Sequence, residues 1–279
     1  MHRRWLTKSL ASAAILGLLA AGCGDDDDAS DDTGEATTAD AASSGADPEP
    51  DLAAFCDAEL ALELAEPPDV DFGTASPEEI SAALRTYASD TIQPLAEDLV
   101  AVVPDEVAAE VDTLRGAVDE MAATGDPSIW ETPEVSAAGE TMHQFDLDTC
   151  GWNTQQVTAT EYSYNGIPAE LPAGVTSFEL SNEGDELHEL LLLRKNDGVT
   201  ASAEELLALP EEEAMAQVTQ LGEAAFAPPG DHEYTVLDLE PGDYIAVCFI
   251  PVGATSEDGP PPEGPPHAMH GMVVEFSVS

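Results

Sequence analysis

"GDYIAVCFIP", Gly242 to Pro251, sets a cysteine inside a run that is apolar on both faces, in a chain whose 279 residues include only four cysteines. Short β-branched and aromatic runs bounded by turn residues such as Pro241-Gly242 read as strands. A strand apolar on both faces belongs inside a layered sheet. "HELLLLR", His188 to Arg194, has the same character, whereas "QQVTATEYSY" (155–164) and "MVVEFSV" (272–278) alternate apolar with polar residues. With "GVTSFELSN" (174–182) and "HEYTVLDLE" (232–240) these runs predict an antiparallel β-sandwich over residues 155–279. Ala201 to Leu221, "ASAEELLALPEEEAMAQVTQL", reads as a helical insertion broken at Pro210.

Upstream, the pattern is helical. Ser76-Pro77-Glu78-Glu79 supplies a capping serine, a proline in the first helical position and a glutamate three residues past the cap. Ile80, Leu84, Tyr87, Leu95, Leu99 and Val102 follow at helical spacing, with Pro94 expected to kink the helix. Val107, Val111, Leu114, Val118 and Met121 form a second stripe, and Val135, Ala138, Met142 and Phe145 a third. With Leu52 to Ala65 this predicts a bundle of about four helices over residues 51–150. The fold class is therefore α+β in two domains, a helical bundle followed by a β-sandwich. His143 lies beside the third stripe and reads as structural.

The amino terminus fixes the compartment. A basic start (Arg3, Arg4, Lys8), an apolar stretch from Leu10 to Ala21 and small residues before Cys23 read as an export signal over residues 1–22. Leu19-Ala20-Ala21-Gly22-Cys23 resembles the lipobox of bacterial lipoproteins, which implies lipidation of Cys23 and anchoring at the extracytoplasmic face of the cell membrane. The Arg3-Arg4 pair is a weak pointer to twin-arginine export. Residues 23–50, rich in aspartate and without a large apolar side chain, cannot bury a core and are expected to form a disordered acidic tether.

Three cysteines then remain in an oxidising compartment, so one is unpaired or bound to something. Cys56 in the first helix and Cys150 just after the last are the expected disulfide, which leaves Cys248 free. Pairing of Cys248 with Cys56 or Cys150 is the alternative, and it would remove the thiol from any metal site.

The formal net charge is −50, with 57 acidic residues against seven basic ones. Such a surface repels nucleic acid and anionic lipid, so binding to either through basic patches is excluded. The acid excess reads as a solvated face suited to high salt.

His188, Cys248, His267 and Met272 are the residue types a soft metal uses, and one thiolate, two imidazoles and a weak thioether form the donor set of a blue copper site. "GDYIAVC" (Gly242, Tyr244, Cys248), "HAMHGM" (His267 to Met272) and "NEGDELH" (Asn182, Gly184, His188) resemble the three ligand-bearing motifs of the cupredoxins, the plastocyanin family in particular. The order His, Cys, His, Met is also that family's order. The resemblance implies a cupredoxin-like Greek-key fold and one type 1 copper, with His188, Cys248 and His267 as strong ligands and Met272 as the weak axial one. It implies one-electron transfer or copper handling rather than catalysis, with a redox or copper-exchange protein as partner. No His-x-His pairs for further coppers, phosphate-binding glycine loop or nucleophile elbow accompany it.

Two features depart from the family pattern. Eighteen residues separate Cys248 from His267, and His270 competes with His267 as a ligand. His267 is preferred for its five-residue spacing to Met272. The alternative function is a metal-free scaffold lipoprotein of the same fold whose helical bundle docks a partner.

Overall fold

The computed structural model describes residues 51–68, 70, 74–256 and 262–279. The expected export signal, Cys23 and the acidic tether lie outside these residues. Among the described residues, no helix is long and apolar enough to cross a membrane.

Among the described residues, five helices form the amino-terminal part: α1 (Leu52–Glu63), α2 (Pro77–Tyr87), α3 (Gln93–Val100), α4 (Ala108–Thr124) and α5 (Pro133–Thr149). The capping box expected at Ser76 is present, with the Glu79 amide donating to Ser76 Oγ at 3.3 Å and the Ser76 amide donating to Glu79 Oε2 at 2.8 Å. Helices α2 and α3 are one rod joined by a π turn, Ala88–Ile92. Pro94 has no amide to donate to Asp90, and widening the turn ahead of it keeps the rod continuous. The kink expected at Pro94 is thus taken up as a π turn.

Phe55, Leu99, Val107, Val111 and Met142 make the bundle's core, with Phe145 edge-on to Phe55 at 5.5 Å. Cys56 and Cys150 are disulfide-bonded, with Cα atoms 5.4 Å apart across 94 positions of sequence. They tie the first helix to the residue that ends the last.

Nine strands follow: β1 (Asn153–Thr160), β2 (Ser163–Asn165), β3 (Glu170–Leu171), β4 (Gly174–Asn182), β5 (His188–Lys195), β6 (Val218–Ala227), β7 (His232–Leu239), β8 (Gly242–Val247) and β9 (Val273–Val278). They pack as two sheets, β2-β1-β4-β7 and β3-β9-β8-β5-β6. The pairing is mostly antiparallel, but β1–β4 and β3–β9 are parallel. The chain between β1 and β4 crosses to the other sheet to form β3 and returns, which sets β1 and β4 in the same direction. The expected β-sandwich is thus present, with two parallel pairs among its antiparallel ones.

The insertion is also shorter than the sequence predicts. Helices α6 (Ala203–Leu207) and α7 (Glu211–Met215) occupy its first part, but Val218 to Leu221 already belong to β6. Alanine-rich "VTQLGEAAFA" has weak strand propensity on its own, and its pairing with Leu192–Lys195 of β5 overrides that preference. The first six residues of β5 are all buried, and Ala203 and Leu206 of α6 join the same hydrophobic cluster.

Candidate metal centre

The four metal-ligand candidates arrive at one end of the sandwich from three segments. His188 opens β5, Cys248 lies one residue beyond β8, and His267 and Met272 flank the turn that leads into β9. All four are fully buried. His188 Nδ1 is 3.2 Å from His267 Nδ1, and Cys248 Sγ is 3.3 Å from His267 Nδ1. Among the described residues, these three side chains are the grouping close enough for a single ion, their ligand atoms lying within 4.8 Å of one another.

Backbone pairing explains why eighteen intervening residues do not separate the donors. The Ala268 amide donates to the Cys248 carbonyl at 2.8 Å, and the His267 amide to the Ile250 carbonyl at 2.9 Å. The Val252 amide reaches the Pro265 carbonyl at 3.0 Å, beside a β-bridge between Pro251 and Pro266. The excursion is therefore closed at its base. Met272 is bound to both neighbours, its amide donating to the His267 carbonyl and its carbonyl accepting from the Cys248 amide, each at 3.2 Å. His270 is exposed, packs its ring at 5.0 Å from that of Tyr162, and is not part of the cluster.

The turn before His188 is held by Asn182. Its side-chain amide donates to the carbonyls of Glu186 (2.8 Å) and Ala227 (2.7 Å), and its Oδ1 accepts from the Gly184 amide at 2.8 Å. A Cβ at Gly184 would lie 2.8 Å from His188 Nε2 and closer still to the Glu161 carboxylate, so the position has no room for a side chain.

Two carboxylates stand behind the histidines, and Glu186 is the one close enough to orient its ring. Glu186 Oε2 stands 3.0 Å from His267 Nε2, and it also accepts from the Gly253 amide at 2.6 Å. Tyr162 donates its hydroxyl to Glu186 Oε1 at 3.2 Å and lays its ring 4.7 Å from that of His267. Glu161 Oε1 is 3.6 Å from His188 Nε2, too far for a hydrogen bond, and His188 Nε2 has no hydrogen-bond partner among the described residues. Sequence reasoning missed Glu161, Tyr162 and Glu186. Two carboxylates among 57 carry no distinguishing mark in the sequence.

The electrostatics prepare the donors. Burial and the neighbouring His267 lower the pKa of His188, and burial lowers that of His267 against the pull of Glu186, so both imidazoles favour their neutral form. With the proton of His267 on Nε2, facing Glu186, its Nδ1 presents a lone pair. Burial, then the Glu189 carboxylate, push the Cys248 thiol well up, so it ionises only when a cation arrives to replace its proton.

These residues fit a copper ion. Two imidazole nitrogens and a thiol sulfur face one another in a space closed to water, and bonds of about 2.0 Å to nitrogen and slightly more to sulfur span separations of this size. Together with the strand topology, the donor set makes the carboxy-terminal part cupredoxin-like in fold.

No family model matches the sequence, and no curated protein matches it. Among solved structures the chain is similar to auracyanin B, at 18% identity and a TM-score of 0.30, over 46% of this chain and 88% of that one. It is similar to a reduced auracyanin from the photosynthetic bacterium Roseiflexus castenholzii at 19% identity and a TM-score of 0.29, over 46% of this chain and 97% of that one. Auracyanin A of Chloroflexus aurantiacus, described as a "blue" copper protein, is similar at 14% identity and a TM-score of 0.27, over 45% of this chain and 98% of that one.

Proposed function

We propose that this chain is a copper-binding electron carrier of the cupredoxin type, held at the extracytoplasmic face of the cell membrane by lipidated Cys23. The observation that carries the copper reading is the meeting of His188 Nδ1, His267 Nδ1 and Cys248 Sγ in a fully buried pocket. Membrane attachment rests on the basic, apolar and small-residue pattern that ends in Cys23.

Bound copper would supply one-electron chemistry, alternating between Cu(I) and Cu(II). The protein's part is to hold the donors so that neither oxidation state rearranges them. Asn182 and Gly184 fix the approach to His188, Glu186 fixes the ring of His267, and the paired backbone of Cys248, His267 and Met272 fixes the rest. Burial of all four candidate ligands leaves no open position for a substrate, which favours a carrier over a catalyst. The partner is a redox or copper-exchange protein. It must approach a surface of net negative charge, so association should weaken with added salt if the partner is basic.

The test is a Cu(II) titration of the protein followed by visible absorption and electron paramagnetic resonance, with Cys248→Ser alongside. An intense band near roughly 600 nm and a narrow copper hyperfine splitting, both lost in the variant, are the expected result. A colourless protein that retains no copper with Cys248 reduced would overturn the reading and leave the metal-free scaffold.

A further inference from the structure

Between the helical bundle and the sandwich lies a cavity of about 980 Å³. Leu84, Val111, Met121 and Trp130 give its helical side apolar walls, and Gln220–Glu223 of β6 and Glu233–Val236 of β7 form the sheet side. Glu59 and Glu63 of α1 and His143 and Asp146 of α5 also line it. Glu59, His143 and Asp146 are only 6%, 4% and 1% exposed, yet Glu59 Oε1, His143 Nδ1 and Asp146 Oδ1 have no hydrogen-bond partner among the described residues.

Buried polar atoms without partners are costly, and packing alone would be better served by leucine or methionine. The carboxyl groups also burden one another. Burial, then the charges of Asp146 and Glu63, push Glu59 up to about 9. Burial, then Glu63, push Asp146 up to about 8. The basic side chains nearby are engaged elsewhere. His143 gives its Nε2 to Glu179 at 2.9 Å and stacks on Tyr234 at 3.5 Å, while Arg115 is half exposed and held by Asp112 at 3.1 Å.

We propose that this cavity is a second binding site, for a small organic cation in which an ammonium or guanidinium group is joined to an apolar body. Glu59, Glu63 and Asp146 receive the charged head, and the aliphatic and aromatic walls receive the body. An anion would meet three acidic groups there and no free basic side chain among the described residues. A purely apolar ligand would leave their oxygens as they are. A single metal ion needs donors drawn together, and among the described residues the grouping tight enough for one is that of His188, Cys248 and His267. The cavity's volume is that of a small-molecule site rather than an ion site. The proposal is independent of copper, since none of these residues belongs to the metal centre.

The test is calorimetric titration of the full chain with 2-phenylethylammonium, its neutral twin 2-phenylethanol, and calcium. Salt at about 0.5 M screens the remaining acidic surface. The ammonium is expected to bind at least roughly tenfold more tightly than the alcohol. In a Glu59→Gln, Asp146→Asn double variant that preference should vanish while the fall in melting temperature toward pH 9 becomes smaller, because buried groups that ionise there have been removed. Equal binding of the alcohol, no binding of the ammonium, saturable calcium binding in its place, or an undiminished ammonium affinity in the double variant would each overturn the proposal. The comparison of ammonium with alcohol on the unaltered chain needs no variant, so it decides the matter even if the double variant does not fold.

Discussion

Replacing Glu186 by glutamine removes a negative charge from behind His267 while keeping its shape. The hydrogen bonds survive the change. The glutamine oxygen can still accept from His267 Nε2 and the Gly253 amide, and its NH2 group faces the Tyr162 hydroxyl, which can accept. What is lost is charge. An ion held on the far nitrogen of the His267 ring stands about 6 Å from the carboxylate, and at an effective dielectric constant near 20 a unit charge at that distance is worth about 3 kcal/mol. At ~2.3 kcal/mol per 100 mV this is about 120 mV. Glu186 keeps 18% of its side chain exposed, so solvent screening reduces the effect to roughly 60–120 mV. A carboxylate favours Cu(II) over Cu(I), so its removal raises the reduction potential. The assay is a spectrophotometric redox titration of the copper-loaded variant against the unaltered protein, with the blue band confirming that the site is intact. A potential that falls, or moves by less than about 20 mV with the band unchanged, would refute the assignment of Glu186 as the charge behind the ligand.

Further expectations follow from the same geometry. Gly184→Ala puts a methyl group against His188 and Glu161, and should weaken copper retention roughly tenfold or more in competition with a chelator; unchanged retention would mean that the turn yields without moving the ring. Replacing Cys56 and Cys150 by alanine opens a loop of 94 positions and should lower stability to urea by about 2–5 kcal/mol, and a loss under about 1 kcal/mol would show that the clamp carries little weight. Glu59 and Asp146 hold their protons more tightly folded (about 9 and about 8) than unfolded (4.5 and 3.8), so their contribution is full below about pH 4 and lost as pH rises through 8 to 9. The melting temperature should therefore fall between pH 6 and 9, and a Glu59→Gln, Asp146→Asn chain should show a flatter profile; a parallel fall in both would assign the pH dependence to other groups.

The candidate donors could be picked out in the sequence because each sits in a short motif whose neighbours constrain it. Cys248 directly follows a strand apolar on both faces, and His267 and Met272 share a six-residue stretch with a glycine turn between them. The disulfide was legible for a different reason, since an oxidising compartment and an odd number of cysteines leave few pairings. Strand β6 was hidden because its alanines and Gly222 have no strand preference until β5 lies beside them. The cavity could not be read at all. Glu59, Glu63 and Asp146 are ordinary acidic positions on amphipathic helices, and only the packing of α1 against α5 and the sheet turns them inward.

The excursion between Cys248 and His267 has a meaning for how this chain can change. Its two ends are bonded to each other before it departs, so the metal site does not set its length. Doubling a loop of this kind costs only about 0.6 kcal/mol in closure entropy. Gly253 and Ala254 still serve the site, through the Glu186 carboxylate and the Leu187 amide, so it is beyond them that segments can be lengthened, trimmed or exchanged for a recognition sequence or a reporter peptide while the donors keep their places. In evolutionary terms, the choice of partner could drift there without disturbing the chemistry a few ångströms away.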